Sequence, residues 1–219
     1  MLISRVLPYI SDYQQNGLMT VIASHIADLP FRPSELEVNK KDLVDYKEKL
    51  ELRLSFLMRH VSAFLIQSSL TYIIDALSYT ANHSNFNCLI ASMSGQGYLG
   101  NLLSNGLSKA ENQQMNEEES KKYRLAIDQI FNKFMDNVPL LVTMATIENT
   151  SLWILLNSLA TSCNQNQFKK LMNEFRGIIL MTLNNIECMK RSYQNISFSA
   201  KLTYPILVKL NETISMHEL

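Results

Sequence analysis

Six residues in the middle of the chain have the spacing of a nucleotide-binding turn. The segment Gly95-Gln96-Gly97-Tyr98-Leu99-Gly100 matches G-x-G-x-x-G, and the acidic run 117–119 follows it. In a dinucleotide fold such glycines permit a tight turn close to a pyrophosphate, and an acid about 20 residues later binds the ribose. No further strand pattern surrounds the segment, so its required strand–turn–helix context is missing. A nucleotide-binding enzyme using Gly95–Gly100 is therefore the weakest of three hypotheses, and a helix–glycine turn–helix corner is the simpler interpretation.

The other residues that could do chemistry are scattered. The four histidines are His25, His60, His83 and His217, and the three cysteines are Cys88, Cys163 and Cys188. A zinc site needs three or four ligands at characteristic spacings, which neither set provides. An odd number of widely separated cysteines favours a reducing compartment. We therefore predict no catalytic residue, no metal ligand and no cofactor.

The dominant pattern along the chain is an apolar period near 3.6 residues. Stripes with this period occupy 43–65, 70–77, 123–134, 152–159, 168–186 and 202–214, with shorter helices predicted for 1–14, 18–28, 86–94 and 98–106. The chain contains only 6 glycines and 5 prolines, too few for the closely spaced turns of a β-sandwich or barrel. We therefore predict an all-α chain of about ten helices.

Several predicted helices are apolar most of the way round, which is typical of helices buried between neighbours. Trp153, Leu156 and Ala160, for example, run beside the stripe 152–159. This pattern favours an irregular α-solenoid of HEAT/ARM-like stacked helix pairs, with a compact helical bundle as the alternative. We treat 1–219 as one domain, with a soft division in the polar interval 108–122, which is predicted to be an exposed loop.

The charge and hydropathy patterns exclude two classes of partner. Twenty basic and 20 acidic side chains give a net charge of zero, which removes long-range attraction to nucleic acid or an acidic membrane. The apolar run 138–160 is long enough to resemble a membrane span. Glu148 lies near its middle, where a charge is costly in a bilayer, so two short helices joined by a turn are predicted instead.

The order of segments resembles the very large inner-ring scaffold nucleoporins of the nuclear pore complex. The resemblance covers about Gly17 to Cys163, through NGLMTVIASHIADLP, LELRLSFLMRHVSAFLIQ and CLIASMSGQGYLGNLLSNGLSKAENQQM. In that family a Gly–Tyr–Leu turn separates two helices, so Gly97-Tyr98-Leu99 is expected to form a structural corner. The resemblance implies an α-solenoid scaffold at the nuclear envelope that supports nucleocytoplasmic transport and binds linker nucleoporins.

The first hypothesis is thus a non-catalytic nuclear pore scaffold that binds short helical or linear motifs of other scaffold proteins. The alternative is a helical adaptor unrelated to the pore, located in the cytoplasm. Trp153 is the candidate partner anchor, because it lies off the main stripe and tryptophan is enriched at binding hot spots. Its alternative role is that of a core residue between helices.

Overall fold

All regular elements in the part of the protein described by the computed structural model are α-helices, which confirms the all-α prediction. The described residues are 70–82, 86–112, 115–192 and 196–217. The helices are α1 (Leu70–Asn82), α2 (Phe86–Ile90), α3 (Met93–Asn112), α4 (Glu117–Asp136), α5 (Val138–Met144), α6 (Thr150–Ser162), α7 (Gln165–Arg191) and α8 (Phe198–His217). The elements predicted between residues 1 and 65 lie outside these ranges, so the total of about ten helices stays a prediction.

The most extensive helix contacts join elements that are not adjacent in the sequence. Helix α3 makes its most extensive contact with α6, α1 packs on α4, and α8 packs on both α6 and α7. Helices α4 and α7 meet through Phe134 and Phe175, whose ring centroids are 5.7 Å apart. These contacts place α1, α4 and α7 in one row and α3, α6 and α8 in another, with the apolar stripes buried between them.

Helices α3 and α6 approach each other closely at Gly100. A Cβ atom at this position would lie 2.9 Å from the backbone nitrogen of Leu155 and 3.0 Å from its Cα. Gly95 is similarly crowded, because a Cβ there would collide with the carbonyl oxygen of Leu89. Only glycine lets the helix axes come this near, so the two glycines determine how α3 sits against its neighbours.

A buried polar network joins the turn before α3 to the turn before α6. The Gln96 side chain is fully buried, and its Nε2 donates to the carbonyl oxygen of Ile90 at 2.7 Å. Its Oε1 accepts a hydrogen bond from Nδ2 of Asn149 at 3.0 Å. Asn149 also caps α6, since its Oδ1 accepts from the backbone N–H of Leu152 at 3.2 Å. Because every partner is buried, this network fixes the relative position of the two turns.

The prediction of a loop over 108–122 is wrong for most of that interval, although none of its described side chains is buried. Helix α3 continues to Asn112, and α4 already begins at Glu117. Asn116 and Glu119 form a capping box, in which each side chain accepts a hydrogen bond from the other residue's backbone N–H. The capping box stabilises the first turns of α4, which are polar and carry no apolar stripe. Contacts of α1 with α4 and of α3 with α6 connect the parts of the chain before and after the interval.

The apolar run 138–160 forms two helices, α5 and α6, as predicted. Pro139 lies in the first turn of α5, where its missing N–H has no intrahelical partner to lose. Within the described ranges, no helix combines the length and hydropathy that a bilayer crossing requires.

Helix α8 continues through Pro205 and is attached near its start to the α5–α6 turn. The Thr203 hydroxyl donates to the carbonyl oxygen of Ile147 at 3.0 Å, and the Thr150 hydroxyl lies 2.9 Å from Thr203 Oγ1. Ser197 donates to the Glu148 carboxylate at 3.1 Å. These bonds orient the first half of α8, whereas its second half is held by buried apolar side chains such as Ile214.

Glycine-to-alanine substitutions should have opposite effects at two helical positions. Gly100→Ala forces α3 and α6 apart, and we expect it to lower the free energy of unfolding by about 1–3 kcal/mol. Gly177→Ala is the matched control, because a Cβ there meets no atom within 4 Å. That change should raise the free energy of unfolding by about 0.5–1 kcal/mol through helix propensity. Urea denaturation followed by circular dichroism measures both, and a Gly100→Ala protein as stable as the wild type would contradict the close approach.

Two N-cap asparagines should differ in their contribution to stability. Asn149→Ala removes a helix cap and leaves Gln96 Oε1 buried without its hydrogen bond, so we expect a loss of about 2–4 kcal/mol. Asn164→Ala removes only the exposed capping box of α7 and should cost about 1 kcal/mol. The same denaturation experiment compares the two variants, and equal losses would show that the buried network adds nothing.

Candidate docking groove

The glycine segment 95–100 lies inside α3 and does not form a turn between a strand and a helix. The expected corner at Gly97-Tyr98-Leu99 is therefore wrong. Tyr98 is buried in the core, and burial raises the pKa of its hydroxyl to about 12. Gly95 and Gly100 serve close packing against neighbouring elements, so the geometry offers no phosphate-binding turn and gives the nucleotide hypothesis no support.

Trp153 lies in the core between helices and has no exposed surface. Its indole Nε1–H donates to the carbonyl oxygen of Thr146 at 2.8 Å, which satisfies the ring's only polar group. A partner could contact this buried side chain only if the elements around it rearranged. No observation tests the anchor role directly, so it stays a prediction, while the observed position is that of an inter-helix core residue.

The cysteines and histidines are only partly within the described residues. Burial raises the pKa of the Cys163 thiol to about 12, so it stays protonated at neutral pH and is a poor nucleophile. Cys188 is an exposed free cysteine on α7. His25, His60, His83 and the side chains of Cys88 and His217 lie outside the described positions. Among the side chains that are described, no group of three metal-binding residues comes together.

A groove of about 470 Å³ runs along the first half of α7, where the end of α8 meets it. Phe168 and Met172 of α7 and Ile214 of α8 form its floor, and each side chain is more than nine-tenths buried. Phe168 and Met172 also belong to the apolar stripe of α7, so the floor of the groove is continuous with the hydrophobic core. Its apolar floor can accept apolar side chains of a ligand.

The rim of this α7–α8 groove is polar and basic. Lys169 and Arg176 are its charged side chains, Gln165 and Asn173 add amides, and no carboxylate occurs among the described residues that line it. At Gly177 the groove is open, since a Cβ there would meet nothing within 4 Å. An apolar floor with a cationic rim is suited to an amphipathic ligand that carries negative charge.

Sequence reasoning did not identify this groove. The sequence places Phe168 and Met172 only in the apolar stripe 168–186. Two features of the sequence could have indicated the groove. One is Gly177 inside a long helix, and the other is the pair Lys169 and Arg176, which lie two helical turns apart beside the apolar stripe. The contribution of Ile214 could not be predicted, because it depends on how α8 folds back on α7.

Comparison with known proteins identifies one family and one fold. The family model described as topoisomerase II-associated protein PAT1 matches residues 1–197. The C-terminal domain of the S. cerevisiae Pat1 decapping activator, in space group P212121, superposes with a TM-score of 0.65 at 15% identity, covering 99% of this chain and 85% of that one. In space group P21 the TM-score is 0.63 at 15% identity, with 99% and 74% covered. No curated protein matches the chain.

The same yeast domain has been solved with short peptides. Its structure bound to the Dcp2 HLM3 peptide (region 484-500) has a TM-score of 0.60 at 16% identity, covering 99% of this chain and 74% of that one. At such low identity the likeness shows the fold alone.

These findings overturn the resemblance to inner-ring nucleoporins. The PAT1 family model includes the whole interval from Gly17 to Cys163 on which that resemblance depended. The nuclear pore scaffold function, the linker-nucleoporin partners and the nuclear envelope location inferred from it are wrong. The physical reason is that irregular helical repeats of unrelated families share the same period and the same helix–loop order. With a match extending over residues 1–197, this chain belongs to the PAT1 family, described as topoisomerase II-associated protein PAT1.

Proposed function

We propose that this chain is a non-catalytic adaptor that binds short peptide segments of a partner, as the alternative hypothesis of an adaptor unrelated to the pore anticipated. One observation carries the proposal. The fold similar to this chain over 98–99% of its length is that of a Pat1 domain bound to Dcp2 peptides, including HLM3, HLM10 and HLM2. Membership in the same family supports the transfer of this role.

The helix arrangement supports an adaptor more than an enzyme. We propose that the helices stack as an irregular solenoid within one domain, because α1, α4 and α7 contact one another in succession along one row, and α3, α6 and α8 do so along the other. Such stacking leaves extended helical surfaces for ligands and needs no closed polar pocket. A compact bundle, the other arrangement, would bring all long helices around one common core.

The cytoplasm is the proposed location. The exposed free thiol of Cys188 and the odd number of cysteines fit a reducing compartment. The description of the yeast relative as a decapping activator supports a role in the decapping of messenger RNA through protein contacts.

Direct titration tests the adaptor function. Fluorescein-labelled peptides of yeast Dcp2 (regions 435-451, 484-500 and 954-970) are added to the 219-residue chain, and fluorescence anisotropy is measured. We expect saturable binding of at least one peptide with a Kd of about 1–100 µM, the weak end of specific interfaces. Scrambled peptides of the same composition are the control and should bind at least about tenfold more weakly, a difference of about 1.4 kcal/mol. Binding of none of the three peptides at millimolar concentration would contradict the proposal.

A further inference from the structure

We propose that the α7–α8 groove is a docking site for an acidic amphipathic helix of a partner protein, an inference that rests on the proposed peptide-binding function. The groove follows one face of α7 from Gln165 to Gly177. At 1.5 Å per residue this face is about 18 Å long, equal to roughly three turns of a second helix. A segment as short as the Dcp2 peptides therefore spans it completely when helical.

The floor of the groove selects an amphipathic ligand. Phe168 and Met172 are one turn apart along α7, and Ile214 approaches them from α8. A bound helix would place apolar side chains at i, i+3 or i+4, and i+7 over this floor, which is the usual pattern of a helix in a groove. An extended peptide would match this spacing poorly, because its side chains alternate between opposite faces.

The rim determines the charge of the ligand. Lys169 and Arg176 are separated by two turns, which places them about 10 Å apart along the helix axis. Two carboxylates spaced seven residues apart on the bound helix would face both cations. The described lining residues include no carboxylate that would repel such a ligand.

Position 177 offers a steric test that leaves the fold intact. In the 219-residue chain, Gly177→Trp fills the open part of the groove, and Gly177→Ala is the matched control that adds only a methyl group. We expect the tryptophan variant to bind the Dcp2 HLM3 peptide at least tenfold more weakly than the wild type, and the alanine variant to bind within twofold. Circular dichroism and size-exclusion chromatography with light scattering establish that both variants are folded and report their oligomeric state.

The charge of the ligand is tested with two designed peptides of 17 residues. Both carry leucines at the same helical spacing, and they differ only in having glutamates or lysines at the flanking positions. We expect the glutamate peptide to bind the wild type at least fivefold more tightly than the lysine peptide. Lys169→Glu combined with Arg176→Glu should reverse this preference. Lys170→Glu is the control, because Lys170 is exposed on α7 but does not line the groove.

The outcomes separate this inference from the function on which it rests. If the wild type binds the HLM3 peptide and Gly177→Trp binds it equally well, the groove assignment is overturned while the adaptor function stands. Equal binding of the glutamate and lysine peptides overturns the acidic ligand. A wild-type dimer that Gly177→Trp converts to a monomer would assign the groove to a second copy of the chain and overturn the proposal. Failure of the wild type to bind any Dcp2 peptide removes both proposals.

Discussion

The close approach of α3 and α6 at Gly100 is the contact on which the other helix positions depend. Without a side chain at this position, the backbone of α3 lies against Leu155 with no intervening group. This short distance lets the Gln96 side chain form its hydrogen bond with Asn149 at the end of the α5–α6 turn. The same turn contains Thr146, whose carbonyl oxygen accepts the hydrogen bond of the Trp153 indole. Helix α8 then packs on α6 through Thr150 and the α5–α6 turn. A single missing Cβ thus fixes a series of contacts that reaches the last described helix.

The periodic stripes were sufficient to predict the helices but not their boundaries. Helices α4, α6, α7 and α8 follow the stripes, because burying an apolar face is the main source of their stability. The start of α4 was placed too late, since the capping box of Asn116 and Glu119 stabilises a polar turn that carries no apolar signal. The segment 95–100 was misinterpreted because glycines that permit a turn and glycines that permit close helix packing look the same in one sequence.

The candidate site was less predictable than the fold. A groove between helices depends on how distant residues come together, and here Ile214 meets Phe168 across two helices. No local pattern encodes that meeting. The family could not be predicted from segment order either, because a 3.6-residue period is imposed by helix geometry on every packed helical repeat. The PAT1 family model matches the residue types along positions 1–197 and not only their apolar period. It therefore distinguishes PAT1 proteins from other helical scaffolds.

Pro205 has a consequence for the cooperativity of α8. Proline has no backbone N–H, so the carbonyl oxygen of Lys201 lacks its helical partner, and the hydrogen-bond ladder is interrupted within the helix. Helix–coil propagation does not pass efficiently through such a gap. We therefore expect the half anchored by Thr203 and the half anchored by Ile214 to fray as separate units. Amide exchange in α8 should accordingly show two protection levels that meet at Pro205.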